Sequence, residues 1–92
     1  MTLTIRGDVD LVTVPDLRRR ICSALGNRPD RLVLNLSRCA FADCRAVTLL
    51  LRARADAERQ GTRLVLRDPS APVRRLLELT SSAAALDVER AS

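Results

Sequence analysis

The stretch Arg31-Leu32-Val33-Leu34-Asn35-Leu36 is short, almost continuously apolar, and followed by polar residues. Such a run predicts a strand at the centre of a sheet. Ser37 to Ala42 then reads as a loop. From Asp43 or Cys44 to Gln60 the apolar residues move to helical spacing. Ala46, Val47, Leu50, Leu51 and Ala53 form one side of this helix. Arg45, Thr48, Arg52, Asp56 and Arg59 form the other. Arg52–Asp56 and Arg54–Glu58 are four apart and are expected to pair, each contributing ~0.2–0.5 kcal/mol. Gly61 ends the helix.

The same alternation extends both ways from this centre. Towards the N-terminus, Thr2 to Arg6 alternates polar and apolar, a half-buried strand that Gly7-Asp8 closes with a turn. Thr13 is placed to cap a helix, with Pro15 near its first position and Asp16 in its first turn. Val14, Leu17, Ile21 and Leu25 follow at helical spacing, and Gly26-Asn27 stops it. Towards the C-terminus, Arg63 to Leu66 is a third strand. Asp68-Pro69-Ser70 turns into a helix from about Ala71 to Leu79, with Val73, Leu76 and Leu77 inward and Ser70 or Asp68 as cap. Leu86-Asp87-Val88 is placed as a short last strand.

Strand–helix alternation favours parallel, right-handed crossovers. The expected fold is α/β: a small mixed, mostly parallel sheet with helices packed on one face, as one domain over residues 1–92. Ile5, Ile21, Val33, Leu34, Leu50, Leu64 and Leu66 are expected in its core. Ninety-two residues suffice for one core and not for two.

Composition removes several function classes. There is no His, so His-based triads and the commonest metal ligand are excluded. Phe41 is the one aromatic residue, so a surface that stacks bases on rings is excluded. Net charge is +5, carried by 16 basic residues that are all Arg. Only Arg18-Arg19-Arg20 and Arg74-Arg75 cluster, and each lies on an amphipathic helix. Dispersed arginine favours a solvated surface over a specific nucleic-acid interface. Cys22, Cys39 and Cys44 make an odd count without C-x-x-C spacing, which points to a reduced, cytoplasmic protein. No targeting segment is expected before the first strand, and no apolar run approaches the roughly 20 residues of a membrane span.

In open α/β sheets the functional loops gather at the carboxyl ends of the strands. Here these are Gly7 to Thr13, carrying Asp8 and Asp10, and Ser37 to Cys44, carrying Asp43 and Cys44. Cys44 has no His to activate it, and neighbouring Asp10 and Asp43 would raise its pKa, so cysteine catalysis is not expected. Asp8, Asp10 and Asp43 are oxygen ligands in type. They fit no EF-hand spacing, and Asp43 as a helix cap with Asp10 in a turn is the preferred reading. No phosphate-binding glycine loop exists. No metal or cofactor is implied.

These residues resemble the STAS domain family, to which bacterial anti-sigma factor antagonists belong. The family pattern is an apolar strand ending Asp-Leu-Ser, then Phe-Ile-Asp-Ser-Ser-Gly-Leu entering a helix. The chain has Leu32 to Ser37, then Phe41-Ala42-Asp43-Cys44-Arg45-Ala46-Val47. Gly7-Asp8-Val9-Asp10 is similar to Gly-Glu-Leu-Asp, Gln60 to Leu66 to the start of the next strand, and Pro72 to Thr80 to the third helix. The resemblance covers nearly the whole chain, although the usual N-terminal strand is shortened or absent.

The resemblance implies a STAS-like fold and a non-enzymatic binding module that docks an anti-sigma factor of the serine-kinase type. In the family a kinase partner phosphorylates a Ser at position 44, which breaks the complex. Cys44 is the phospho-site equivalent here, Arg45 replaces a small residue and Ala46 replaces Gly. The serine switch is therefore expected to be lost. The implied partner-binding residues are Asp8, Asp10, Asp43, Cys44, Arg45, Ala46 and Thr48. Two alternatives stand beside this: a STAS subunit of an ABC lipid-transport system, and a thiol-based redox sensor using Cys44 with Cys39. Oligomeric state, signal and partner identity are not written in the sequence.

Overall fold

A computed structural model describes residues 1–89 of the chain. The elements are β1 (Thr2–Val9), α1 (Val14–Gly26), β2 (Arg31–Ala42), α2 (Cys44–Arg59), β3 (Arg63–Arg67), α3 (Ala71–Leu79), a 3-10 turn (Ala83–Ala85) and β4 (Val88–Glu89). The four strands form one sheet in the order β1-β2-β3-β4, and every pairing is parallel. The mixed, mostly parallel sheet expected from sequence is thus parallel throughout the described residues.

All three helices contribute to one apolar cluster. Leu17, Ile21 and Leu25 of α1, Leu49, Leu50 and Ala53 of α2, and Val73 and Leu77 of α3 meet Ile5, Leu32, Leu34, Leu36, Leu64 and Leu66 of the sheet. The seven residues expected in the core are all buried. Val33 and Val65 are register partners, buried outside that cluster. They lie on the opposite face of the sheet, since side chains alternate along a strand. Ion pairs surround them there: Glu89 meets Arg31 at 2.5 Å and Arg67 at 3.2 Å, and Asp87 meets Arg63 at 3.5 Å. Such half-exposed pairs stabilise little individually.

Two strands run further than expected. β1 continues to Val9, so Gly7 is not a closing turn. Its φ of +76° keeps it inside the strand in a conformation that favours glycine. β2 continues to Ala42, so Ser37 to Ala42 is strand and not loop. The register between β1 and β2 shifts twice, between Thr4 and Arg6 and between Gly7 and Asp8, each time with an extra residue on β2. Leu34 and Leu36 face the core two residues apart, and Cys39 follows after three. The bulges absorb that broken alternation.

Smaller differences have similar causes. On α2, Leu49 is buried and Leu51 is 37% exposed, because 46, 49, 50, 53 and 57 make the inward stripe. Arg54 pairs with Glu58 at 3.0 Å, whereas Asp56 pairs with Arg59 in place of Arg52. Ser70 stands at the cap position of α3, but its hydroxyl donates to the Cys39 carbonyl at 2.7 Å. The last strand is Val88–Glu89, and Leu86 before it is a core residue.

The outer edge of β1 is partly covered. The Arg20 guanidinium on α1 donates to the Thr4 carbonyl at 3.2 Å, and the Thr13 hydroxyl donates to the Asp8 carbonyl at 2.8 Å. Covering edge groups this way discourages unwanted strand pairing.

Candidate functional site

The loops after β1 and β2 are held side by side. The backbone N–H of Asp43 donates to the Val9 carbonyl at 3.2 Å. In the first loop, one Asp10 carboxylate oxygen accepts from the Val12 and Thr13 amides at 3.0 and 3.1 Å. The Asp10 amide in turn donates to the Thr13 hydroxyl at 2.9 Å. Asp10 is therefore the brace of its own turn. Thr13 occupies the cap position of α1 without capping it, because its hydroxyl is committed to this loop. Asp8 is exposed, and its carboxylate has no hydrogen bond or ion pair among the described residues.

The second loop delivers α2. Asp43 is its N-cap: the carboxylate accepts from the Arg45 amide at 2.9 Å, satisfying one of the unpaired donors of the first turn. Its other oxygen meets the Arg45 guanidinium at 3.3 Å. Cys44 is the first residue of the helix and is exposed. Thr48, one turn on, is exposed, and its hydroxyl donates to the Cys44 carbonyl at 3.4 Å. Ala46 turns inward and is 5% exposed, so of the sequence-selected residues it alone packs into the core instead of joining the outer face. Asp8, Cys44, Arg45 and Thr48 are exposed, and Asp10 and Asp43 brace the backbone of the two loops.

The arrangement limits the available chemistry. The carboxylates of Asp10 and Asp43 are both engaged with backbone amides. Among the described residues no three His, Cys, Asp or Glu side chains come together as a metal site. Cys39 is buried and faces the core, and its thiol donates to the Phe41 carbonyl at 3.4 Å. Burial pushes that thiol up from its ordinary pKa. The hydrogen bond with Phe41 opposes the shift, and the negative charge of Asp8 adds to it. A raised pKa suppresses the reactive thiolate. Cys39 and Cys44 are not bonded and lie in opposite environments, one in the core and one in solvent. No helix among the described residues is long and apolar enough to cross a membrane.

One surface escaped sequence reasoning. Phe41 and Leu79 are 51% and 77% exposed. Phe41 and Leu79 line a groove of about 380 Å³ between the end of β2 and α3, with Pro72, Leu76 and Arg75. The available signal was that the single aromatic residue stands two residues before the α2 cap.

Comparison with known proteins gives a family match and several similar solved structures. The family model described as "Mlab, STAS domain" matches residues 1–86. The unphosphorylated anti-sigma factor antagonist SpoIIAA superposes with a TM-score of 0.82 at 23% identity, over 99% of this chain and 78% of that one. An anti-sigma factor antagonist from Mycobacterium paratuberculosis gives 0.79 at 25% identity, over 96% and 74%. A putative anti-sigma factor antagonist from Thermotoga maritima gives 0.84 at 16% identity, over 96% and 76%. No curated protein matches the chain.

Proposed function

The chain belongs to the STAS domain family, and from that premise we propose that it is a non-enzymatic, cytoplasmic regulator of the anti-sigma factor antagonist type. Its partner is an anti-sigma factor of the serine-kinase type. The docking face is the exposed end built by Asp8, Cys44, Arg45 and Thr48, with Asp10 and Asp43 holding its two loops. The observation that carries this reading is the position of Cys44, exposed as the first residue of a capped helix beside a second, braced loop. A modification there meets the partner directly. Phosphate would add about −1.5 to −2 charge next to Asp43. A thiol does not receive phosphate from a serine kinase, so docking is constitutive or governed by abundance.

A second reading is favoured by the same substitution. A face without the phosphorylatable hydroxyl suits permanent assembly, as in a STAS subunit that grips the ATPase of an ABC lipid transporter. The redox-sensor alternative has less support, because Cys39 is buried and its thiol held neutral.

The test is calorimetric titration of the wild type and the Cys44→Ser variant with purified kinase-type anti-sigma factors of the source genome, in ADP and in ATP. The wild type is expected to bind equally in both and to gain no phosphate by intact-mass analysis. The Cys44→Ser variant is expected to gain phosphate in ATP and lose its partner. Phosphorylation and release of the wild type would overturn the lost switch. Binding to an ABC ATPase alone would favour the second reading.

A further inference from the structure

Resting on that reading, we infer that the groove between β2 and α3 is part of the partner interface and receives an acidic amphipathic helix of the partner protein. The groove is open along one side and measures about 380 Å³. Its walls are apolar: Phe41 from the end of β2, and Pro72, Leu76 and Leu79 from one stripe of α3. Phe41 and Leu79 are far more exposed than large apolar residues need be, and they are contiguous. Clustered exposure of this kind on a small domain marks an interaction surface.

Charge selects the occupant. Among the described residues Arg75 is the one charged residue lining the groove, and no carboxylate lines it. Glu78 stands three residues further along α3, yet it is not part of the lining and forms no ion pair with Arg75. An arginine beside an exposed aromatic ring and aliphatic walls is the composition of an interface anchor. A helix bearing apolar side chains at i and i+3 or i+4, with a carboxylate on the flank, fills the walls and meets the guanidinium together. A small molecule is a poorer fit, because the groove lacks the convergent polar groups that orient one. The groove also continues into the loop already described: Ala42 lines it, and Asp43 follows as the cap of α2. One partner can therefore span both.

The experiment is titration of purified kinase-type anti-sigma factor with the wild type, Leu79→Ser, Arg75→Glu, Arg75→Lys and a remote control, Arg19→Ala. Leu79, Arg75 and Arg19 are all exposed, so the fold is expected to survive, and circular dichroism checks it. Leu79→Ser and Arg75→Glu should each weaken binding about tenfold or more. Arg75→Lys should retain most of the affinity, and Arg19→Ala should match the wild type. If the wild type binds and the groove variants stay within about twofold of it, the groove is not the interface, while the docking function stands. If the wild type binds no such partner, the function itself fails and this inference with it. Self-association of the wild type that Leu79→Ser abolishes would assign the groove to a second copy and overturn the proposal.

Discussion

The amide of Asp43 is bonded to the carbonyl of Val9 at 3.2 Å, so the residue that starts α2 is fixed to the last residue of β1. Asp43 thus acts twice. Its backbone joins two strand ends, and its side chain caps the helix that leaves them. The position of Cys44 follows from both.

Replacing Asp43 by Ala should remove the cap and keep the backbone link. The expected loss is about 1 kcal/mol, the usual cost of an N-cap deletion. Urea unfolding of Asp43→Ala against wild type measures it. Asp43→Asn should recover most of the loss, because the amide oxygen can still accept from Arg45. The Arg45 ion pair is half-exposed and adds little.

Leu34, on β2, is fully buried in the cluster that the sheet forms with the helices. Leu34→Ala should cost about 2–5 kcal/mol, enough to threaten folding of a domain this small. A change below about 1 kcal/mol would mean the site collapses around the smaller side chain.

Stability should fall as pH rises through the thiol range, and Cys39 should be the cause. Its pKa is raised in the folded chain. The unfolded thiol ionises near its ordinary value of about 8.5 while the folded one stays protonated. The unfolded state then binds fewer protons, so folding stability is full below that pH and declines above it. The chain contains no Lys and no Tyr, which removes the usual competing alkaline titrations. Unfolding curves from neutral to alkaline pH should show the slope, and Cys39→Ala should flatten it. The same burial predicts two fast-reacting thiols, Cys22 and Cys44, and a third that reacts on unfolding.

Binding to random duplex DNA should be weak, without sequence preference, and should fall steeply with salt. The open sheet face explains this in part. Three of its arginines, Arg31, Arg63 and Arg67, are already paired with Glu89 and Asp87. Fluorescence anisotropy at two salt concentrations decides it. Tight, sequence-selective binding at physiological salt would overturn the assignment of arginine to a solvated surface.

How far the sequence could be read depended on whether a residue's role is local. Leu32 to Leu36 announces a central strand through its own run of apolar residues. Asp43 and Gly61 mark the ends of α2 by their residue types alone. Ser37 to Ala42 was illegible because its strand character comes from pairing with β1 across two bulges, and its own alternation is broken. Gly7 misled for a related reason: the pair Gly7-Asp8 suggests a turn, but here the strand passes through Gly7 at a positive φ. The inward turn of Ala46 and the groove at Phe41 depend on how α2 and α3 are rotated against the sheet. That rotation is a tertiary outcome that no single segment encodes.

The order of strands in the sheet is the order of strands in the chain. No strand must be inserted between two that have already paired. A nascent chain leaving the ribosome can therefore add each strand and its helix to the growing edge as they emerge, since synthesis delivers the N-terminal elements first. When β2 appears, the residues of β1 and α1 have already been made. When β3 appears, the far side of β2 is open to receive it. Biosynthesis and architecture run in the same direction, and Val88 and Glu89 of β4 pair with the edge of β3.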